Sequence, residues 1–456
     1  MSTQNMLPEI ERKDVRQRVP PSPPSQYPQL PPPRPNGNRW TWIAIVTVAF
    51  VLLLSVGTLL YVQIGRPGGQ STPASSGKVL PTQPAASTPK PTQPAVTPQP
   101  TQPSATQEPG NGTTPAPAAN VKWGPQTCPA GAKDPAHWAS LIGIKGSSMK
   151  IEGISCANVI GDSSLQALVT VRHTYTLALD VYAFDRITST HPVGLLKLTE
   201  LTVGDAKISS YNTLMTAEAN LSSSMNKEKP EGGLTRDLFR EFAWSSDQQA
   251  LTQVAFPGFF PALTRYQAEQ DQRSIGPATA WKNDAAQVAK HMAVQMLAWP
   301  NNTQTKVLSG GSAKDVDAVV LLTSNSIGKP TVNVTLSRLE GYVHNMWVVL
   351  SAQTTGMTIT SPQGRATLSS PVTVTGSGPA NEGQIGMLYV LDHLYNKIGN
   401  VEARGEKGWG PTTFAAQLSY SSTTSPSTQE GVLVLYSSSA ADGKINGVVM
   451  LKELIG

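Results

Sequence analysis

The chain has 456 residues, of which only 14% are charged, with 35 Lys and Arg against 30 Asp and Glu for a formal net charge of +5. The cations stand singly and never form the run or helical stripe that tracks phosphates, which argues against nucleic-acid binding. Two cysteines, Cys128 and Cys156, are too few for a four-ligand zinc site, so the leading expectation is one disulfide in an oxidising compartment, with two buried thiols as the alternative.

In chain order, residues 1–39 carry a charged patch and then the proline series Pro20-Pro21-Ser22-Pro23-Pro24 and Pro31-Pro32-Pro33-Arg34-Pro35. Such a series holds extended polyproline II and cannot build a core, so a disordered tail is expected. Its spacing would suit an aromatic-lined groove, and a plain solubilising leader is the simpler use.

Trp40 to Ile64 is uncharged over about 25 residues, the length that spans a bilayer core as a helix. Trp40, Trp42 and Tyr61 sit near its ends, where amphipathic aromatics favour the headgroup layer, and Arg39 and Arg66 bracket it. We expect a single membrane-spanning helix with the N-terminus in the cytoplasm and the remainder of the chain outside. A cleaved signal peptide fits less well, because the leader is long and no Ala-x-Ala site follows closely.

Residues 65–120 are rich in Pro, Thr, Gln, Ala and Ser, and repeat Pro-Thr-Gln-Pro at 81–84, 91–94 and 100–103. As a linker this stretch would reach roughly 45 Å as a coil and about 170 Å if fully polyproline II. Its expected job is to hold the following domains away from the membrane.

Residues 121–355 read as an α+β domain. Strand-like alternation appears in Leu165 to Arg172 and Leu177 to Phe184, and further strands are expected over Lys207 to Asn220, Asp237 to Trp244 and Leu251 to Phe256. Pro257-Gly258-Phe259-Phe260-Pro261 predicts a tight aromatic loop. Helices are predicted over Ala262 to Arg273 and Ala280 to Trp299, the second stopped by Pro300. Strands return at Val316 to Thr323, Thr331 to Leu339 and Asn345 to Gln353.

Residues 356–456 read as all-β, with about seven short strands in about 100 residues, the pattern of an immunoglobulin-like sandwich. Ile385, Met387, Tyr389 and Leu391 alternate in one strand, and Phe414, Ala416, Leu418 and Tyr420 in another. Each can bury one face.

The order Ser361-Pro362, Val372-Thr373-Val374-Thr375-Gly376, Asn381-Glu382-Gly383 and Val390-Leu391-Asp392 resembles the immunoglobulin-like domain of bacterial spore germination proteins (the Gmad class). So do Trp409-Gly410-Pro411 with Phe414, and Gly431 to Tyr436 running into Ser438-Ser439-Ala440-Ala441-Asp442-Gly443. The resemblance implies an extracytoplasmic β-sandwich that serves as an accessory or binding module and brings no catalytic residues.

Chemistry is sparse. The six histidines fall on separate elements without a metal-ligand spacing, and Asp315 and Asp317 lack the further oxygen ligands and the glycine of a calcium loop. No G-x-S-x-G, P-loop or G-x-G-x-x-G motif occurs, and Ser309-Gly310-Gly311-Ser312 suits a strand connection. Candidate ligand contacts are the aromatics Phe259 and Phe260 of the tight loop and Trp409, which lies between glycines in a loop.

The sequence therefore predicts a membrane-anchored, single-pass bacterial envelope protein that displays non-enzymatic domains for a cell-wall glycan or surface protein, with no cofactor. A transmembrane sensor, and a surface hydrolase with its site in 121–355, are the alternatives. Nothing in the sequence sets the oligomeric state.

Overall fold

The computed structural model describes residues 121–424 and 427–456; the expected tail, the expected span from Trp40 to Ile64 and the linker lie outside the described residues. Among the described residues no helix is long and apolar enough to cross a membrane.

The described chain opens with Cys128 joined to Cys156 at a Cα–Cα distance of 5.2 Å. Helix α1 (Pro135–Ile142) follows, a short helix that the sequence pattern did not announce. Its signals are local: the Asp134 side chain accepts from the Ala136 N–H, Pro135 occupies the first turn, and Gly143 closes the helix at φ 80. The helix seats the fully buried Trp138 beside the disulfide, where the indole donates to the Ala132 carbonyl at 2.8 Å.

Two antiparallel meanders come next. The first runs β1 (Met149–Ala157), β2 (Gln166–His173), β3 (Leu179–Asp185) and β4 (Val193–Leu201); the second runs β5 (Asp205–Ile208), β6 (Leu214–Glu218), β7 (Leu238–Ser245) and β8 (Ala250–Val254). They share one core, in which Leu168, Leu179 and Val181 meet Ile208, Leu214, Phe242 and Leu251. The single strand expected over 207–220 is a hairpin, because the chain turns at Ser209 to Thr213 with Asn212 at φ 57. β1 and β4 were not expected from the sequence; β4 is largely exposed and so lacks a clean apolar alternation.

Helix α2 (Arg265–Arg273) is capped by the Thr264 side chain, three residues later than the sequence suggested. The long helix expected over 280–299 is two pieces. A 3₁₀ stretch, Pro277–Asn283, ends where Asp284 turns extended, and the Asp284 carboxylate then caps α3 (Ala285–Met296) through the Ala286 and Gln287 N–H groups. Capping by the aspartate outweighs the continuous helical spacing.

The remaining strands form one 12-stranded sheet. β9 (Gln304–Gly310), β10 (Asp317–Thr323), β11 (Thr331–Arg338) and β12 (Trp347–Gln353) make an antiparallel half covered by α3. β13 (Thr358–Ser361), β14 (Thr367–Leu368), β15 (Val372–Asn381), β16 (Gln384–Leu391), β17 (Lys397–Arg404), β18 (Trp409–Leu418), β19 (Gln429–Ser438) and β20 (Ile445–Ile455) make the immunoglobulin-like part. The halves join where Ala352 and Gln353 pair with Met450 and Val449.

That join explains why β19 and β20 are apolar almost throughout. Val432, Val434, Val448 and Met450 face the layer under α3, whereas Leu433, Leu435 and Val449 face the sandwich interior. A strand buried on both faces reads as a continuous hydrophobic run. The molecule is thus mostly β-sheet with few helices, and the α+β character expected for 121–355 reduces to short helices over two β meanders and half of a shared sheet.

Buried charged groups lie where α2, the second meander and the shared sheet meet. Lys452 and Glu430, each with 1% of its side chain exposed, pair at 2.9 Å. Arg265 pairs with Glu241 at 2.7 Å and with Glu340 at 3.2 Å. His393 of the sandwich reaches the Asp237 carboxylate at 3.4 Å.

Candidate binding groove

Strand β16 alternates, so Met387, Tyr389 and Leu391 share a face with Tyr436, the cross-strand partner of Met387. This face continues the core that α3 covers, but α3 ends at Met296. Leu391 is buried, while Tyr389 and Met387 remain half-buried. The uncovered end of the sheet is the floor of a groove.

The groove has two compartments. One, of about 440 Å³, lies between Gln295 and Met296 at the end of α3 and the side chains of Tyr389, Tyr395, Lys397 and Tyr436. The other, of about 340 Å³, is lined by Asn381, Gln384, Ser437 and Asn446 among others. Met387, Tyr436 and Ser438 border both, making the two continuous.

Aromatic rings dominate the first compartment. Tyr389 and Tyr436 lie 5.9 Å apart in a tilted arrangement, and the Lys397 ammonium sits 4.1 Å from the Tyr389 ring centroid, a cation–π contact. Tyr436 donates to the Met296 carbonyl at 3.2 Å and Tyr395 to the Phe259 carbonyl at 2.5 Å. Burial, with the neighbouring Tyr389, pushes the Tyr436 phenol up to about 12. Burial also raises the Tyr395 phenol. Both phenols therefore stay neutral donors at physiological pH.

The second compartment offers amide and hydroxyl groups instead. Beside it stands Trp409, 68% exposed, whose cross-strand partner is Asn381. The turn at Glu382 and Gly383 is pinned there: Gly383 N–H donates to Gly408 at 2.8 Å, and Gly405 N–H donates back to Gly383 at 2.9 Å. No carboxylate, histidine or cysteine lines either compartment. The groove can stack and hydrogen-bond a ligand.

Residues 357–444 match the immunoglobulin-like domain of bacterial spore germination. No curated protein matches the chain. The germination-type domain supplies Asn381, Met387, Tyr389, Lys397, Trp409 and Tyr436, while Gln295 and Met296 come from a helix outside the matched residues. The groove is therefore a joint product of this domain and the layer packed against it.

Of the contacts expected from sequence, Trp409 is a free surface residue. Phe259 and Phe260 are not: they are 0% and 4% exposed. Their loop is held on β12 by an isolated bridge, with Phe259 N–H donating to Val349 at 2.9 Å and Val349 N–H donating to Phe260 at 2.7 Å, so the rings fill the core under α3. Only Phe260 touches the groove wall. Cys128 and Cys156 lie in a separate core with Trp138 and act structurally.

Tyr389, Tyr395, Lys397 and Tyr436 were missed as site residues. A signal existed in the alternation of Met387 and Tyr389, but without the end point of α3 it reads only as a core face. Among the described residues no group of three His, Cys, Asp or Glu is placed to hold a metal ion. Asp315 instead accepts from the Ser312 N–H at 2.8 Å within a turn.

Proposed function

We propose that this chain is a non-catalytic binding protein, carried outside the cell on the Trp40 to Ile64 span and its linker, whose groove holds a cell-wall glycan. The observation that carries the proposal is the lining: the tyrosines of the first compartment run into the amide and hydroxyl groups of the second, and the exposed Trp409 stands beside them, paired with Asn381. Sugar rings present apolar faces to aromatics and hydroxyls to amides, and this groove offers both in sequence.

The test is co-sedimentation of the full chain with isolated cell-wall material. Wild type is expected to pellet with the wall, and Trp409→Ala to need about tenfold more wall for the same bound fraction, the loss of one stacking contact of about 1–1.5 kcal/mol. Trp409 is exposed, so its removal leaves the fold intact. Equal binding by both proteins would remove Trp409 from the site, and no binding by wild type would remove the proposal.

A further inference from the structure

A second cleft, of about 600 Å³, opens between β5, β7 and α2. Its walls are Val203, Leu234 and Phe239 on the apolar side, and Lys207, Arg236 and Arg273 converge on it. Two carboxylates stand nearby, and both are already engaged. Asp205 accepts from the Tyr266 hydroxyl and pairs with Arg236 at 3.5 Å. Glu269 accepts from Ser210 N–H at 2.7 Å and Ser210 Oγ at 2.9 Å, and pairs with Arg273 at 3.5 Å.

Arg236 is already engaged, donating to the Val203 and Gly204 carbonyls at 2.6 and 3.4 Å. Lys207 differs. Its ammonium lies 3.8 Å from the Tyr266 ring centroid and makes no hydrogen bond or ion pair with any other described residue. Burial and the adjacent Arg273 hold its pKa below the ordinary lysine value, against the opposing pull of Glu269 and Asp205. Three cations against two carboxylates leave one positive charge, and the Thr235 hydroxyl and the Gln270 amide border the same space.

We propose that this cleft binds a singly charged oxyanion on an organic ligand, a phosphodiester or a carboxylate, with Lys207 and Arg273 as charge partners. Charge-assisted hydrogen bonds to such oxygens are the strong ones, and the guanidinium fork of Arg273 suits a two-oxygen group. Val203, Leu234 and Phe239 then cover the ligand's apolar part.

The test titrates the full chain, by calorimetry, with glycerophosphoglycerol and separately with glycerate. At least one is expected to bind, more weakly as salt is raised, and the one that binds identifies the oxyanion. Lys207→Gln and Arg273→Gln are each expected to weaken binding about tenfold, while Lys207→Arg retains it. Trp409→Ala leaves this binding unchanged, which separates the cleft from the groove. Absence of binding by both probes at about 10 mM, or affinity that survives both glutamine substitutions in folded protein, would overturn the proposal.

Discussion

Replacing Lys452 with methionine is expected to lower the unfolding free energy by about 1–1.5 kcal/mol more at pH 8 than at pH 5. Lys452 and Glu430 are paired at 2.9 Å with almost no exposure. The ammonium donates to the Leu263 carbonyl, and Glu430 accepts from the Phe256 N–H at 3.1 Å. Removing the lysine strands a buried carboxylate. Without Lys452 the acid stays protonated past its wild-type value of about 7, at a further cost of about 1.4 kcal/mol for each pH unit above it, which makes the penalty pH-dependent.

The wild-type protein already shows the tendency. Burial, opposed by Lys452 and by the Phe256 N–H, pushes Glu430 up to about 7. Glu453 is pushed up to about 8 by burial, against the opposing Ala366 N–H and Lys452. With folded-state values above the unfolded ones, the folded protein binds protons that the unfolded chain has released. These acids therefore make stability fall as pH rises from about 4.5 through 7 and 8. Urea unfolding of wild type, Lys452→Met and the double variant with Glu430→Gln, at pH 5 and pH 8, checks this. The double variant should recover most of the loss, and an equal penalty at both pH values would contradict the assignment.

Removing the Cys128–Cys156 bridge is expected to cost about 3–4 kcal/mol, the loop-entropy value for its 28-residue separation. The loss should be concentrated near the start of the described chain. Cys128 and Cys156 pack with Trp138, Ala132 and Val169, a cluster separate from the one beneath α3. Hydrogen exchange of the Cys128→Ala/Cys156→Ala protein should show faster exchange at α1 and at the Gln126 amide, which donates to Cys156 at 2.6 Å. Groove residues should keep their protection. Unchanged exchange at α1 would show that Trp138 alone holds the segment.

Much of the sandwich was legible because its strands alternate; the Phe414 to Leu418 alternation is present as read. β9 was not legible, since its residues are mostly exposed and carry no burial pattern. The long-helix expectation failed at a single residue, Asp284, whose capping preference competes with helical spacing. The continuous sheet was hidden for a different reason. A doubly buried strand such as β19 looks like any apolar run, and nothing local tells which second layer covers it.

The site followed the same division. Trp409 was visible as an aromatic between glycines, although it opens strand β18 rather than lying in a loop, whereas Phe259 and Phe260 looked alike but sit under a helix. The tyrosine floor depends on where α3 stops relative to β16, a tertiary fact between residues 91 positions apart, from Met296 to Met387.

The groove is tested most directly by titrating the full chain with a soluble cell-wall glycan oligomer and comparing wild type with Tyr389→Ala, Trp409→Ala and the double variant. Each single substitution is expected to raise the dissociation constant about tenfold, and the pair about a hundredfold, because the two rings touch different parts of the ligand. Dissociation constants that match wild type in all three folded variants would contradict a glycan site on this face.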